Sequence, residues 1–122
     1  MRTITEGSHR FTQINVIDEP GQGGACHEYT IETVNELTKY GDHATFGNIK
    51  FQNGPIKEFG VNGCHQEDLL LVVIDRLESF QAGPFSCREN ALALTKLQEA
   101  VHWLNHRTTS RQLRGVEGTN IK

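Results

Sequence analysis

Two stretches in the second half of the chain have apolar residues at helical spacing, and a short break separates them. In residues 66–81, apolar side chains recur at spacings of three and four: Leu70, Val73, Leu77 and Phe80. The tripeptide Ala82-Gly83-Pro84 then interrupts the helical pattern. A second seam with the same spacing follows it: Leu94, Leu97, Val101, Leu104 and Thr108. Two long helices joined by a short turn pack antiparallel, so we predict a helical hairpin over about residues 64–115.

The ends of the second helix carry their own signals. Ser86 and Glu89 have the S-x-x-E spacing of a capping box, which predicts that Ser86 is the N-cap residue. Gly115 follows the last apolar position and supplies a C-terminal stop.

The first half of the chain alternates apolar and polar residues, which is the period of a β-strand. Residues 11–17, 27–34, 44–51 and 56–61 carry this signal. Asn53-Gly54 lies between the last two segments and indicates a hairpin, although Pro55 directly after it favours a longer loop. We therefore predict a small antiparallel sheet over about residues 10–62. With the helical hairpin after it, the fold class is α+β.

Length and charge limit what the chain can do. Its 122 residues, of which 36% are apolar, fit a single domain over residues 1–122 with a modest core, which favours burial against further copies. The net charge of −3 argues against long duplex DNA as a partner. An odd cysteine count, an N-terminus without a signal peptide and only short apolar runs predict a cytoplasmic protein that does not enter membranes.

Arg107, Arg111 and Arg114 form the most informative cluster. Spacings of four and three place them on one helix face if the helix continues through residues 108–109. Guanidinium groups match phosphate oxygens bidentately, so the cluster indicates a phosphate ligand. The alternative is a solvated basic end that complements the helix dipole.

A second group lies at the predicted turn between the helices. Asn90 is in the first turn of the second helix near Arg88, and Phe80 is near the end of the preceding helix. The hairpin brings these regions close together, so an aromatic face for a base lies near polar donors. Phe80 as a core residue and Asn90 as a surface residue are the alternatives.

Signals for metal binding and catalysis are weak. Cys26-His27 and Cys64-His65 lack chelating spacing, and His102 and His106 have no third ligand, so we predict neither a metal nor a cofactor. Cys87 precedes Arg88 at a helix N-terminus, without a base nearby in the sequence. An enzyme that cleaves a nucleotide with Cys87 or the His102/His106 pair is the alternative function, and a DNA-binding module is a third.

Residues 87–97 and 103–119 carry a family resemblance. The second stretch reads W-L-x-x-R-T-x-x-R-x-x-R-G-V-E-G-T. It resembles the first type of Thoeris anti-defence sponge proteins of phages and prophages, and it shares its helical hairpin with phage sponges that act against CBASS defence.

The resemblance implies a non-enzymatic protein that binds and sequesters glycocyclic ADP-ribose and so inhibits Thoeris defence. It also implies a homohexamer and, in some members, separate sites for cyclic di- or trinucleotides. Phe80 would stack on a base, Asn90 would hydrogen-bond, and Arg107 and Arg111 would hold phosphates. With the neighbouring polar residues, the expected ligand-binding set is Phe80, Arg88, Asn90, Arg107, Arg111, Arg114 and Thr119.

Overall fold

The structure is a computed structural model that describes residues 2–5, 11–34, 43–119 and 121. Contacts group the chain into two compact units, Met1–Cys64 and His65–Lys122. The boundary lies close to the point where the sequence pattern changes from strands to helices. The single domain over residues 1–122 stays a prediction, and each unit is described by itself.

The first unit contains a four-stranded antiparallel sheet in the order β1-β2-β3-β4. The strands are β1 (Arg2–Thr3), β2 (Thr12–Val16), β3 (Glu28–Thr33) and β4 (Thr45–Lys50). The predicted α+β fold with an N-terminal antiparallel sheet is confirmed. Three of the four segments with alternating polarity form strands, whereas the two-residue β1 is too short to give a periodic signal.

Residues 56–61 do not form the predicted strand, and the hairpin predicted at Asn53-Gly54 is wrong. A single helical turn, α1 (Ile56–Phe59), occupies this position. Pro55 is its N-cap residue, with an extended backbone, and the Pro55 carbonyl accepts from the N–H groups of Glu58 and Phe59. Gly54 turns the chain at φ +86°, and a Cβ there would lie 2.5 Å from the Phe59 ring. Because Ile56 and Phe59 are three residues apart, their spacing also fits this turn.

Polar side chains fill part of the interior of the sheet unit. Asn15 is only 3% exposed; its amide donates to Glu32 at 2.9 Å, and its oxygen accepts from the Thr3 hydroxyl at 2.8 Å. The Thr30 hydroxyl donates to the same Glu32 carboxylate at 3.1 Å. Since buried polar groups are costly only when unpaired, this network fixes the register of β1, β2 and β3.

The second unit consists of α2 (Gln66–Gln81) and α3 (Arg88–Leu113), which pack against each other and confirm the predicted hairpin. Ile74 is the buried residue of α2, whereas the predicted core position Val73 is 44% exposed. The seam of α3 is partly buried at all five predicted positions: Leu94, Leu97, Val101, Leu104 and Thr108. Gly115, at φ +71°, follows the end of α3 as predicted.

Cys87, not Ser86, caps the N-terminus of α3, so the predicted capping box is wrong. The Cys87 sulfur accepts from the backbone N–H of Asn90 at 3.4 Å. The Gln81 side chain pairs with both backbone groups of Cys87, accepting from its N–H at 3.0 Å and donating to its carbonyl at 3.1 Å. This pairing holds Cys87 extended, so the N-cap lies one residue beyond the predicted one and α3 begins at Arg88. Within the described residues, no helix is long and apolar enough to cross a bilayer.

Candidate functional site

Aromatic rings and a guanidinium meet at the turn between α2 and α3. Phe80 is partly buried, and its ring lies 6.0 Å from that of Phe85 in an edge-to-face arrangement. The Arg76 guanidinium carbon lies 4.7 Å from the centre of the Phe80 ring. Phe85 is 69% exposed. The turn therefore presents aromatic surface beside a positive charge, a combination suited to a nucleobase and a phosphate.

Asn90 lies at the same turn, as the sequence predicts. Its side-chain nitrogen donates to the Phe85 carbonyl at 3.4 Å, so the amide is oriented towards the aromatic pair. Among the residues that the structure describes, the Asn90 amide oxygen and its second N–H have no partner. An amide with one donor and one acceptor left over can read the edge of a base. Arg88, the first residue of α3, is exposed two positions earlier.

The arginine cluster lies at the opposite end of α3. The helix continues through residues 108–109, so Arg107 and Arg111 are one turn apart on the same side, and Arg114 is the C-cap residue. Arg107 is exposed, whereas Arg111 is partly buried.

The Arg111 guanidinium is surrounded by backbone carbonyls. Nη2 donates to Val116 and Thr119, both at 3.0 Å, and Nη1 donates to Ile121 at 2.5 Å. Thr119 therefore lies beside Arg111, and its hydroxyl donates to the Val116 carbonyl.

The expected binding residues thus form two groups in one chain. Asn90 and Arg107 are seventeen residues apart on the continuous helix α3, which corresponds to about 25 Å along its axis. Phe80, Arg88 and Asn90 lie at the turn; Arg107, Arg111, Arg114 and Thr119 lie at the far end.

The candidate residues of the enzymatic alternative make contacts that are typical of structural residues. Cys87 caps α3 through its sulfur, and the rings of His102 and His106 each lie edge-to-face with that of Trp103, at 5.3 and 5.7 Å. Over the described ranges, no three metal-ligating side chains cluster.

A cleft of about 420 Å³ lies in the sheet unit and is lined in part by Arg2, Asp18, Cys26 and Tyr29. Desolvation opposes ionisation of Asp18, but the backbone N–H groups of His27 and Glu28, which donate at 2.9 and 3.1 Å, outweigh it. Together they hold the pKa of Asp18 below its ordinary value. Both carboxylate oxygens are engaged in fixing the loop before β3.

Sequence reasoning missed Arg76 and Phe85. Arg76 precedes Phe80 by four residues on α2, a spacing that places a guanidinium over a ring and could have been recognised. Phe85 lies in the turn itself, where no periodic pattern reports which way a ring points.

Comparison with known proteins gives two matches. Residues 44–109 match the family model described as the Acb2/Tad1 hairpin domain. The chain is also similar to a protein named Thoeris anti-defense 1 from Bacillus phage SBSphiJ7, with 48% identity over 102 residues. The aligned region covers 84% of this chain and 66% of that protein, so the chain spans just under two thirds of the relative's length.

Proposed function

Because the chain belongs to the Acb2/Tad1 hairpin-domain family, we propose that it inhibits bacterial anti-phage defence by sequestering a signalling nucleotide. Family membership confirms the resemblance noted in the sequence. The proposed ligand is glycocyclic ADP-ribose, the proposed target is Thoeris defence, and the proposed location is the cytoplasm of the infected bacterium. The protein holds the nucleotide without converting it.

The aromatic and polar cluster at the turn between α2 and α3 carries this proposal. Adenine stacks on the Phe80 ring. The unpaired atoms of the Asn90 side-chain amide form hydrogen bonds with the edge of the base. Arg76, above the same ring, and Arg88 supply positive charge for the diphosphate. These groups favour binding of an intact nucleotide and require no nucleophile.

A second copy of the chain explains how the arginines at the far end of α3 take part in binding at the turn. A single nucleotide cannot contact both Asn90 and Arg107 of one chain across about 25 Å. If α3 of a second copy runs antiparallel, its Arg107 comes close to Asn90 of the first. Apolar side chains exposed on the two helices support such an assembly, which we propose is a hexamer: Leu71, Val72, Leu92 and Trp103.

The same separation also allows a second ligand class. Arg107 and Arg114 form a candidate phosphate site distant from the aromatic cluster, suited to a cyclic di- or trinucleotide. Titration of Asn90→Ala and Arg107→Ala with both ligands separates the two arrangements. A shared site predicts that both variants lose glycocyclic ADP-ribose, whereas separate sites predict that each variant loses one ligand.

A release experiment tests sequestration against cleavage. The full-length protein is incubated with glycocyclic ADP-ribose, filtered to remove free ligand and heated, and the released molecule is identified by chromatography and mass spectrometry. Sequestration predicts intact ligand in amounts that follow the protein concentration, and little release from Asn90→Ala. Linearised or hydrolysed product, abolished by Cys87→Ser, would establish the enzymatic alternative instead.

A further inference from the structure

We propose that Arg111 is a positioning residue, which holds the C-terminal segment of residues 116–119 and 121 in place and leaves direct phosphate contact to Arg107. The first half of this inference concerns the protein alone. The second half, the assignment of phosphate contact, rests on the proposed function.

The hydrogen bonds of the Arg111 guanidinium carry the inference. Its two bidentate edges are Nε with Nη2 and Nη1 with Nη2, so both include Nη2. Nη2 already donates both of its hydrogens, to Val116 and Thr119 at 3.0 Å. Nη1 donates to the Ile121 carbonyl. Neither edge therefore has two free N–H groups to donate to a phosphate. An anion that bound to either edge would have to displace a carbonyl.

The segment that Arg111 holds is itself ordered by further contacts. Val116 is 8% exposed, and its N–H donates back to the Arg111 carbonyl at 3.1 Å. The Thr119 hydroxyl donates to the Val116 carbonyl and accepts from the Ile121 N–H. The Val116 oxygen thus accepts three hydrogen bonds, from the hydroxyl and the backbone N–H of Thr119 and from Arg111. The guanidinium joins three carbonyls that follow it by five, eight and ten residues, so its loss removes three of the hydrogen bonds that hold this segment.

Arg107 differs from Arg111 in both exposure and partners. It is exposed, and within the described residues its guanidinium has no hydrogen bond or ion pair. Both of its bidentate edges are available to a phosphate. Arg107 and Arg111 therefore have different roles in this proposal, although they lie one turn apart on the same face of α3.

Hydrogen exchange of the ligand-free, full-length protein tests the positioning role. Arg111→Ala and Arg111→Lys are compared with the parent, and Arg107→Ala is the matched control. We expect amide exchange at Val116, Thr119 and Ile121 to be at least about tenfold faster in both Arg111 variants, because the single lysine nitrogen cannot occupy the positions of both Nη1 and Nη2. Arg107→Ala should match the parent. Unchanged exchange in the Arg111 variants, or an equal loss of protection throughout α2, would overturn the local role.

A double-mutant cycle then tests how Arg111 reaches the ligand. Thr119→Val removes hydroxyl bonds of the same segment. If Arg111 acts through that segment, Arg111→Ala and Thr119→Val each weaken glycocyclic ADP-ribose binding by about tenfold, and the double variant loses little more. Arg107→Ala and Thr119→Val should instead multiply, to about a hundredfold. Multiplicative losses for Arg111 and Thr119 would mean that Arg111 contacts the phosphate itself. Because the exchange experiment uses no nucleotide, its result stands even if the parent binds none.

Discussion

Replacing Phe80 with leucine removes an aromatic face and keeps most of the apolar volume at the turn between α2 and α3. Stacking of a base on an aromatic ring contributes about 1–3 kcal/mol, so binding of glycocyclic ADP-ribose should weaken by about five- to 150-fold. The folded protein loses the edge-to-face contact with Phe85, worth about 0.5–1.5 kcal/mol, and the guanidinium contact with Arg76, worth about 0.5–1 kcal/mol. Since Phe80 is only partly buried, the large cavity cost of a core phenylalanine does not apply.

Calorimetric titration and thermal melting of the same samples separate these contributions. We expect Phe80→Leu to melt a few degrees below the parent and to lose most of its binding enthalpy. Phe80→Tyr, which keeps the ring, is the matched control and should bind close to the parent. If Phe80→Leu binds as tightly as Phe80→Tyr, the base does not stack on this ring and the candidate site at the turn is wrong.

Four further expectations concern other parts of the chain. Arg107→Ala should weaken nucleotide binding by about ten- to a hundredfold in calorimetry, as expected for a lost charge-assisted bond, whereas Cys87→Ser should bind normally because serine also caps a helix. Light scattering should give a mass several times 13.7 kDa, and a tightly binding monomer would contradict the proposed assembly. Asp18→Asn should lower the melting temperature at neutral pH. Because the folded pKa of Asp18 is lowered, its stabilisation is complete above its unfolded value of 3.8 and disappears as pH falls through the folded value, so parent and variant should converge in acid.

The sequence predicted the helical half well because apolar spacing alone determines it. Leu77 and Leu94 are partly buried, as a period of 3.6 residues predicts for the face that packs within the hairpin. The residue at which α3 starts could not be predicted from the local sequence. It depends on hydrogen bonds from the side chain of Gln81, five residues before Ser86, to the N–H and the carbonyl of Cys87. That contact crosses the turn, and no local capping rule includes it.

The candidate site was predictable in residue type but not in arrangement. Phe80 and Asn90 could be paired because a hairpin turn brings them together, whereas the place of Phe85 depends on the direction of a side chain within the turn. Arg107 and Arg111 are equivalent in any pattern of charge and spacing. Their difference arises from the backbone carbonyls of Val116, Thr119 and Ile121, which accept from Arg111 and carry no sequence signal.

Because α3 is continuous, it fixes both the distance and the rotation angle between its two ends. Each residue inserted between Asn90 and Arg107 would lengthen it by about 1.5 Å and rotate its far end by about 100°. A one-residue insertion near Gln98, on the exposed side, would therefore turn Arg107 away from the proposed second copy and split the seam that faces α2. Adding a full heptad would nearly restore the phase but move the two ends about 10 Å further apart. Evolution can consequently vary the loops and strands of this protein in length far more freely than the stretch between these two residues.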